Sequence, residues 1–186
     1  MKKTTCILLG IVLSILCTGC FFTKTQDERF HAVLKGEREC ITADGKAHKL
    51  SDLVPHSAKA ASYALLDMDG DTTEEMLVSF EVNGYAEYIV LLHEEEKTVR
   101  AWLLGKRQMY DIRADGSFCA TDNASETWYY KILLYEGLLY KSEIAYCSHH
   151  EELYRVNGAP ASRAVFDEYI TEREQIAAID FIPLVN

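Results

Sequence analysis

The sequence has no surplus of basic charge. Its 186 residues carry 19 Lys and Arg against 29 Asp and Glu, for a formal net charge of −10. Such a surface repels phosphate backbones, so nucleic acid is not an expected partner. Beyond residue 20 no CxxC spacing occurs, which removes the usual frame of a structural zinc site. No P-loop and no G-x-G-x-x-G is present, hence no phosphate cradle. No G-x-S-x-G is present, hence no elbow for a hydrolase serine. No catalytic constellation stands out, and the chain is not expected to be an enzyme. Nor does the chain offer the ~20 consecutive apolar residues of a permanent membrane span.

A shorter apolar run is present. CILLGIVLSILC, Cys6 to Cys17, follows Lys2 and Lys3 and has the length of a secretory h-region. It leads into Cys17-Thr18-Gly19-Cys20. Small residues before a cysteine at this place resemble the bacterial lipobox. In that family the cysteine carries the lipid (palmitate among its acyl chains) and becomes the mature N-terminus. The family usually has Leu three places before the cysteine, where this chain has Cys17. The resemblance implies a leader at 1–19, lipidation of Cys20 and a location on the outer face of the cytoplasmic membrane. The alternative is an ordinary cleaved signal with Cys20 an incidental thiol. Loss of Lys2 and Lys3 takes the net charge to −12. Attachment to anionic lipid would then rely on the acyl chains and not on a basic patch.

After a short tether at 20–25, residues 26–186 read as one domain. Gln26 to Glu37 suits a helix, with Phe30, Val33 and Leu34 on one face and Gly36 at its end. From Ala60 onward the pattern is that of strands. Asn83-Gly84 and Glu136-Gly137 are hairpin signals, and Asp115-Gly116 separates short strands at Tyr110–Arg113 and Ser117–Ala120. Trp128, Tyr130, Ile132 and Leu134 share a face. Ser162 caps a closing helix to Gln175, whose buried stripe is Val165, Phe166, Tyr169 and Ile170. The expected class is α+β: an antiparallel, meandering sheet covered by an N-terminal and a C-terminal helix.

The chemically distinctive stretch is DMDGDTTEE, Asp67 to Glu75. Asp67, Asp69 and Asp71 occupy positions 1, 3 and 5 of a tight loop. The carbonyl of Thr73 and the carboxylate of Glu75 could extend the set at positions 7 and 9. Calcium takes six to eight oxygens at roughly 2.3–2.6 Å, and this spacing supplies several from one turn. Gly70 lets the backbone curl. The EF-hand pattern fails, because Thr72 and Val78 stand where it needs Gly and Glu. The loop resembles the D-x-D-G-D turn between strands of the integrin-like repeat, with Thr72 in place of that family's Gly. The other reading is a metal-free turn in which the Asp side chains cap the turn's own amides.

A wider resemblance covers most of the chain beyond the leader. AVLKGE, YALLDMDGD, YIVLL, RQMYDIRADGSF, the Trp128–Tyr146 hairpin and the closing helix resemble a group of uncharacterised, lipid-anchored proteins of Gram-positive gut-type bacteria. The resemblance supports the architecture and the acidic loop rather than an activity.

Other clusters carry blander expectations. His149-His150-Glu151-Glu152 reads as a solvated loop, and His93 to Lys97 as an exposed turn between strands. Cys119 and Cys147 lie near strand ends and could pair; the alternative is that they and Cys40 are small buried hydrophobes. The aromatics Trp128, Tyr129, Tyr130, Tyr135, Tyr140 and Tyr146 fit either a sugar or peptide platform or ordinary cross-strand packing. Of these, Tyr129 and Tyr135, with Lys131, point away from the expected core. The function expected is that of a lipid-anchored binding or interaction module with a structural calcium ion and an unknown protein or envelope ligand. An envelope-directed enzyme without a recognisable motif and an immunity-type protein at the membrane are the alternatives.

Overall fold

The computed structural model describes residues 26–185. The expected leader, the tether and Cys20 lie outside them. The first described element is helix α1, residues 26–34. Strands β1 (Cys40–Ile41) and β2 (Ala47–His48) follow, then a single 3-10 turn at Leu50–Leu53. The long strands are β3 (Lys59–Leu66), β4 (Glu75–Val82), β5 (Tyr85–Glu95) and β6 (Thr98–Gly105). Then come β7 (Phe118–Asn123), β8 (Glu126–Tyr135), β9 (Leu138–Ser148), β10 (Leu153–Val156) and β11 (Ala159–Ala161). Helix α2 (Arg163–Glu174) and β12 (Ile182–Pro183) close the described chain.

The α+β class, the antiparallel hairpins and the flanking helices are as expected. The strands, however, divide between two sheets. One has the order β12-β3-β4-β5-β6-β1-β2, the other β11-β10-β9-β8-β7. In the first, β1 joins β6 in parallel. Side-chain alternation explains the stacking. Met76, Val78 and Phe80 of β4, with Val90 and Leu92 of β5, pack on Phe30 and Val33 of α1. Leu77 and Leu91, one residue out of phase, pack on Phe118 and Ile132 of the second sheet. With both faces covered, β4 is buried from Glu75 to Phe80. The outer face of the second sheet packs on α2 through Ala145, Cys147, Tyr154 and Phe166.

Besides the single expected sheet, which is two, two local expectations change. Tyr110–Arg113 is not a strand: Tyr110 and Arg113 make only isolated bridges, to Cys119 and Ala178. Asp111 between them sits at φ +48°, outside extended backbone. In α2, Ser162 does cap the helix, accepting from the Val165 amide. The buried stripe is shifted, because Val165 is half exposed while Arg173 is buried. Phe166, Tyr169, Ile170 and Arg173 thus form the i, i+3, i+4, i+7 face.

Cys40, Cys119 and Cys147 are free and buried. Burial raises the Cys40 thiol to about 11 and the Cys119 thiol to about 12. Strand β8 runs between the strands that carry Cys119 and Cys147. Two strand spacings are about 9.6 Å, beyond the ~7 Å limit between Cα atoms of a disulfide. These two residues therefore do not pair.

Candidate functional site

The acidic loop joins β3 to β4, so its two ends are pinned by adjacent antiparallel strands in register (Leu66 opposite Glu75). It brings Asp67, Asp69 and Asp71 together: each offers an oxygen, and these lie within 4.8 Å of one another. Two oxygens on opposite sides of a calcium ion stand about 4.6–5.2 Å apart. The carboxylates also organise their own loop. Asp67 accepts from the Gly70 amide (2.7 Å) and the Thr72 amide (3.0 Å). Asp69 accepts from the Asp71 amide at 3.2 Å, and Asp71 from the Thr73 amide at 2.7 Å. Each such bond uses one lone pair of an oxygen that has two, which leaves capacity for a cation. Thr72 sits at φ +74°, a costly place for a β-branched residue. Burial, and then the neighbouring Asp71 charge, hold the Asp69 carboxyl above its usual 3.8.

Glu75 stands apart from this group. It is fully buried. One oxygen accepts from the Met68 amide at 2.7 Å, and the other lies 2.9 Å from His93 Nδ1. The reason is phase. Glu75 shares its strand face with Leu77, which faces the second sheet, so its carboxylate turns inward behind the loop. Burial pushes it above the usual 4.5, against the pull of the His93 bond. The Glu75 hydrogen bond holds the His93 imidazole above 6.5. His93 is thus a strand residue of the site and not part of an exposed turn; β5 continues to Glu95, and Glu96-Lys97 makes the turn with both φ values positive. Alternation of His93 with Leu92 and Leu91 was the available signal.

The loop has a lid of sorts in the Asp115-Gly116 turn. A Cβ on Gly116 would stand 2.6 Å from the Met68 carbonyl oxygen, and Gly116 is at φ +77°. Only glycine fits there. Asp115 reaches Lys131 of β8 at 3.3 Å, tying the turn to the second sheet.

A second constellation lies under α2. Arg173 donates to the Asp111 carboxylate (2.8 Å) and to the Asp111 carbonyl (2.7 Å). Arg113 meets the same carboxylate at 2.8 Å. Burial would raise the Asp111 carboxyl, but the two guanidinium groups outweigh it and hold it below 3.8. Asp111 also lines a cavity of about 450 Å³ with Ser79, Met109, Tyr110, Ile179 and Phe181 among its walls. Burial holds the Tyr110 phenol above its usual 10.0.

The aromatic hairpin mostly packs inward. Trp128 and Tyr146 stack at 5.1 Å, and Tyr129 meets Phe166 of α2 edge-on at 6.0 Å. Tyr135 and Tyr140 stay exposed. His149 to Glu152 are exposed. No known family model, curated protein or solved structure matches this chain.

Proposed function

We propose that this protein is a lipid-anchored binding module on the outer face of the cytoplasmic membrane, attached through Cys20, whose Asp67–Glu75 loop holds a structural calcium ion. The observation that carries the cation reading is the convergence of three carboxylates, from Asp67, Asp69 and Asp71, to within 4.8 Å. The Thr73 carbonyl and water complete the coordination, and Glu75 braces the loop from behind. The ion would offset like-charge repulsion in the loop and tie β3 to β4. Tethering and export rest on the lipobox resemblance of Cys17-Thr18-Gly19-Cys20. Calcium titration followed by thermal melting tests the loop: the midpoint rises with millimolar calcium, and a midpoint that does not move overturns the reading. Fatty-acid labelling lost in Cys20→Ser tests the anchor.

The cavity favours one second reading, an envelope-directed enzyme. Two of its titratable wall groups do not suit acid–base work near neutrality, while Glu81, Glu87 and Lys106 also line it. Asp111 is committed to two guanidinium groups, and Tyr110 keeps its proton.

A further inference from the structure

The distal half of the β8–β9 hairpin is bare. Strand β7 pairs β8 only from Glu126 to Tyr130, and β10 pairs β9 only from Ala145 to Ser148. The rest of the hairpin projects as two strands. Its inner side packs through Ile132, Leu134 and Leu139. Its outer side carries Leu133, Tyr135, Leu138 and Tyr140, exposed by 51%, 65%, 44% and 47%. Leu133 opposes Tyr140, and Tyr135 opposes Leu138, so the four form one block. Contiguous exposed apolar side chains mark a contact surface, unlike scattered single ones.

The place of this block suggests what covers it. Gln26, where the described chain begins, donates to the Glu74 carbonyl at 3.0 Å. The next residue, Glu75, bonds His93, and His93 opposes Arg100 across β5 and β6. The hairpin tip rests on that arginine: a Cβ on Gly137 would collide with the Arg100 guanidinium. Chain entry and hairpin tip therefore share one end of the first sheet, on its opposite faces: the in-plane offset is about two strand spacings, ~10 Å, and the sheet itself lies between them. On the lipobox reading, Phe21–Thr25 alone separate Cys20 from Gln26, a reach of at most ~20 Å. A tether that short keeps this end at the bilayer.

We infer that the Leu133–Tyr135–Leu138–Tyr140 block seats on the phospholipid surface beside the anchor. The proposal rests on the Cys20 reading above. Two leucines with tyrosines beside them match the composition of interfacial contacts, where the ring enters and the hydroxyl stays wet. The seated end also carries the acidic loop, so anionic head groups would oppose it and a zwitterionic surface is the clean probe.

The test uses the full, lipid-modified chain reconstituted into phosphatidylcholine vesicles containing brominated lipid. Tyr135→Trp is compared with Tyr85→Trp, which lies in the β4–β5 turn at the opposite end and is 69% exposed. Emission of the unsubstituted protein is subtracted. The expected result is several-fold stronger quenching for Tyr135→Trp than for Tyr85→Trp, lost on adding Leu138→Glu while the protein still floats with the vesicles. Equal quenching of the two in floating protein overturns the docking and spares the anchor. Failure of the unsubstituted chain to float, with Cys20→Ser behaving alike, sinks the anchor and the docking with it. Concentration-dependent dimers without lipid, abolished by Leu138→Glu and unaccompanied by quenching, assign the face to a second copy and refute the lipid contact.

Discussion

Asp69, partly buried, and Asp111, the more exposed of the two, are the same side chain, yet they titrate in opposite directions. Asp69 is held up, with Asp71 and Asp67 adding to the effect of burial. Asp111 is held down, because Arg173 and Arg113 overcome the same penalty. Burial sets the sign at Asp69; at Asp111 the neighbours reverse it. One carboxylate has its cations supplied by the fold; the other sits in a loop whose described neighbours supply mainly more carboxylate. That contrast is the physical case for an external cation at the loop and for none at Asp111.

The comparison breaks most sharply at Arg173. Replacing it in Arg173→Met leaves Asp111 with Arg113 alone and removes the buried link between α2 and the segment beneath it. Urea denaturation should show a loss of about 2–4 kcal/mol, reduced from that of a fully buried pair by the one-third exposure of Asp111. Since the Asp111 carboxyl is lowered, its stabilisation is present above 3.8 and lost as pH falls through the folded value. The variant should lose less on acidification than the parent does.

Adding the proposed cation is next in size. Calcium at ten times its dissociation constant should stabilise the protein by about 1.4 kcal/mol in thermal melts. Asp69→Asn should abolish that gain and leave the Arg173 effect untouched. Removing the brace is smaller. Glu75→Gln keeps an acceptor for the Met68 amide but gives up a charge-assisted bond to His93, at about 1 kcal/mol near pH 6. The His93 value is raised in the fold, so its contribution is complete below 6.5 and lost as pH rises through the folded value. NMR titration of His93 should show its pKa falling in the variant. The smallest effect is at Thr72, held at φ +74°. Thr72→Gly relieves backbone strain at some cost in chain entropy, for a net gain under about 1 kcal/mol, with calcium binding preserved.

Local features were legible in the sequence. Ser162 as a cap, the Asn-Gly, Asp-Gly and Glu-Gly turns, and the beat of Asp67, Asp69 and Asp71 each depend on a few adjacent residues. Non-local ones were not. Nothing in the loop itself announces that the two faces of β4 meet different layers, so Glu75 looked like a ligand at loop position 9 when its phase sends it inward to His93. The stripe read from the sequence stops at Ile170 and leaves Arg173 out; Asp111, 62 positions earlier, is what draws it in. Tyr110–Arg113 has strand-like composition, but the carbonyl captured by Arg173 belongs to a residue bent out of extended geometry.

The single strand between Cys119 and Cys147 has a further implication on the proposed reading of an exported protein. With that strand in place, oxidation cannot staple β7 to β9. Maturation of the described fold then calls on no thiol oxidase, and a reducing agent should leave its melting temperature where it was.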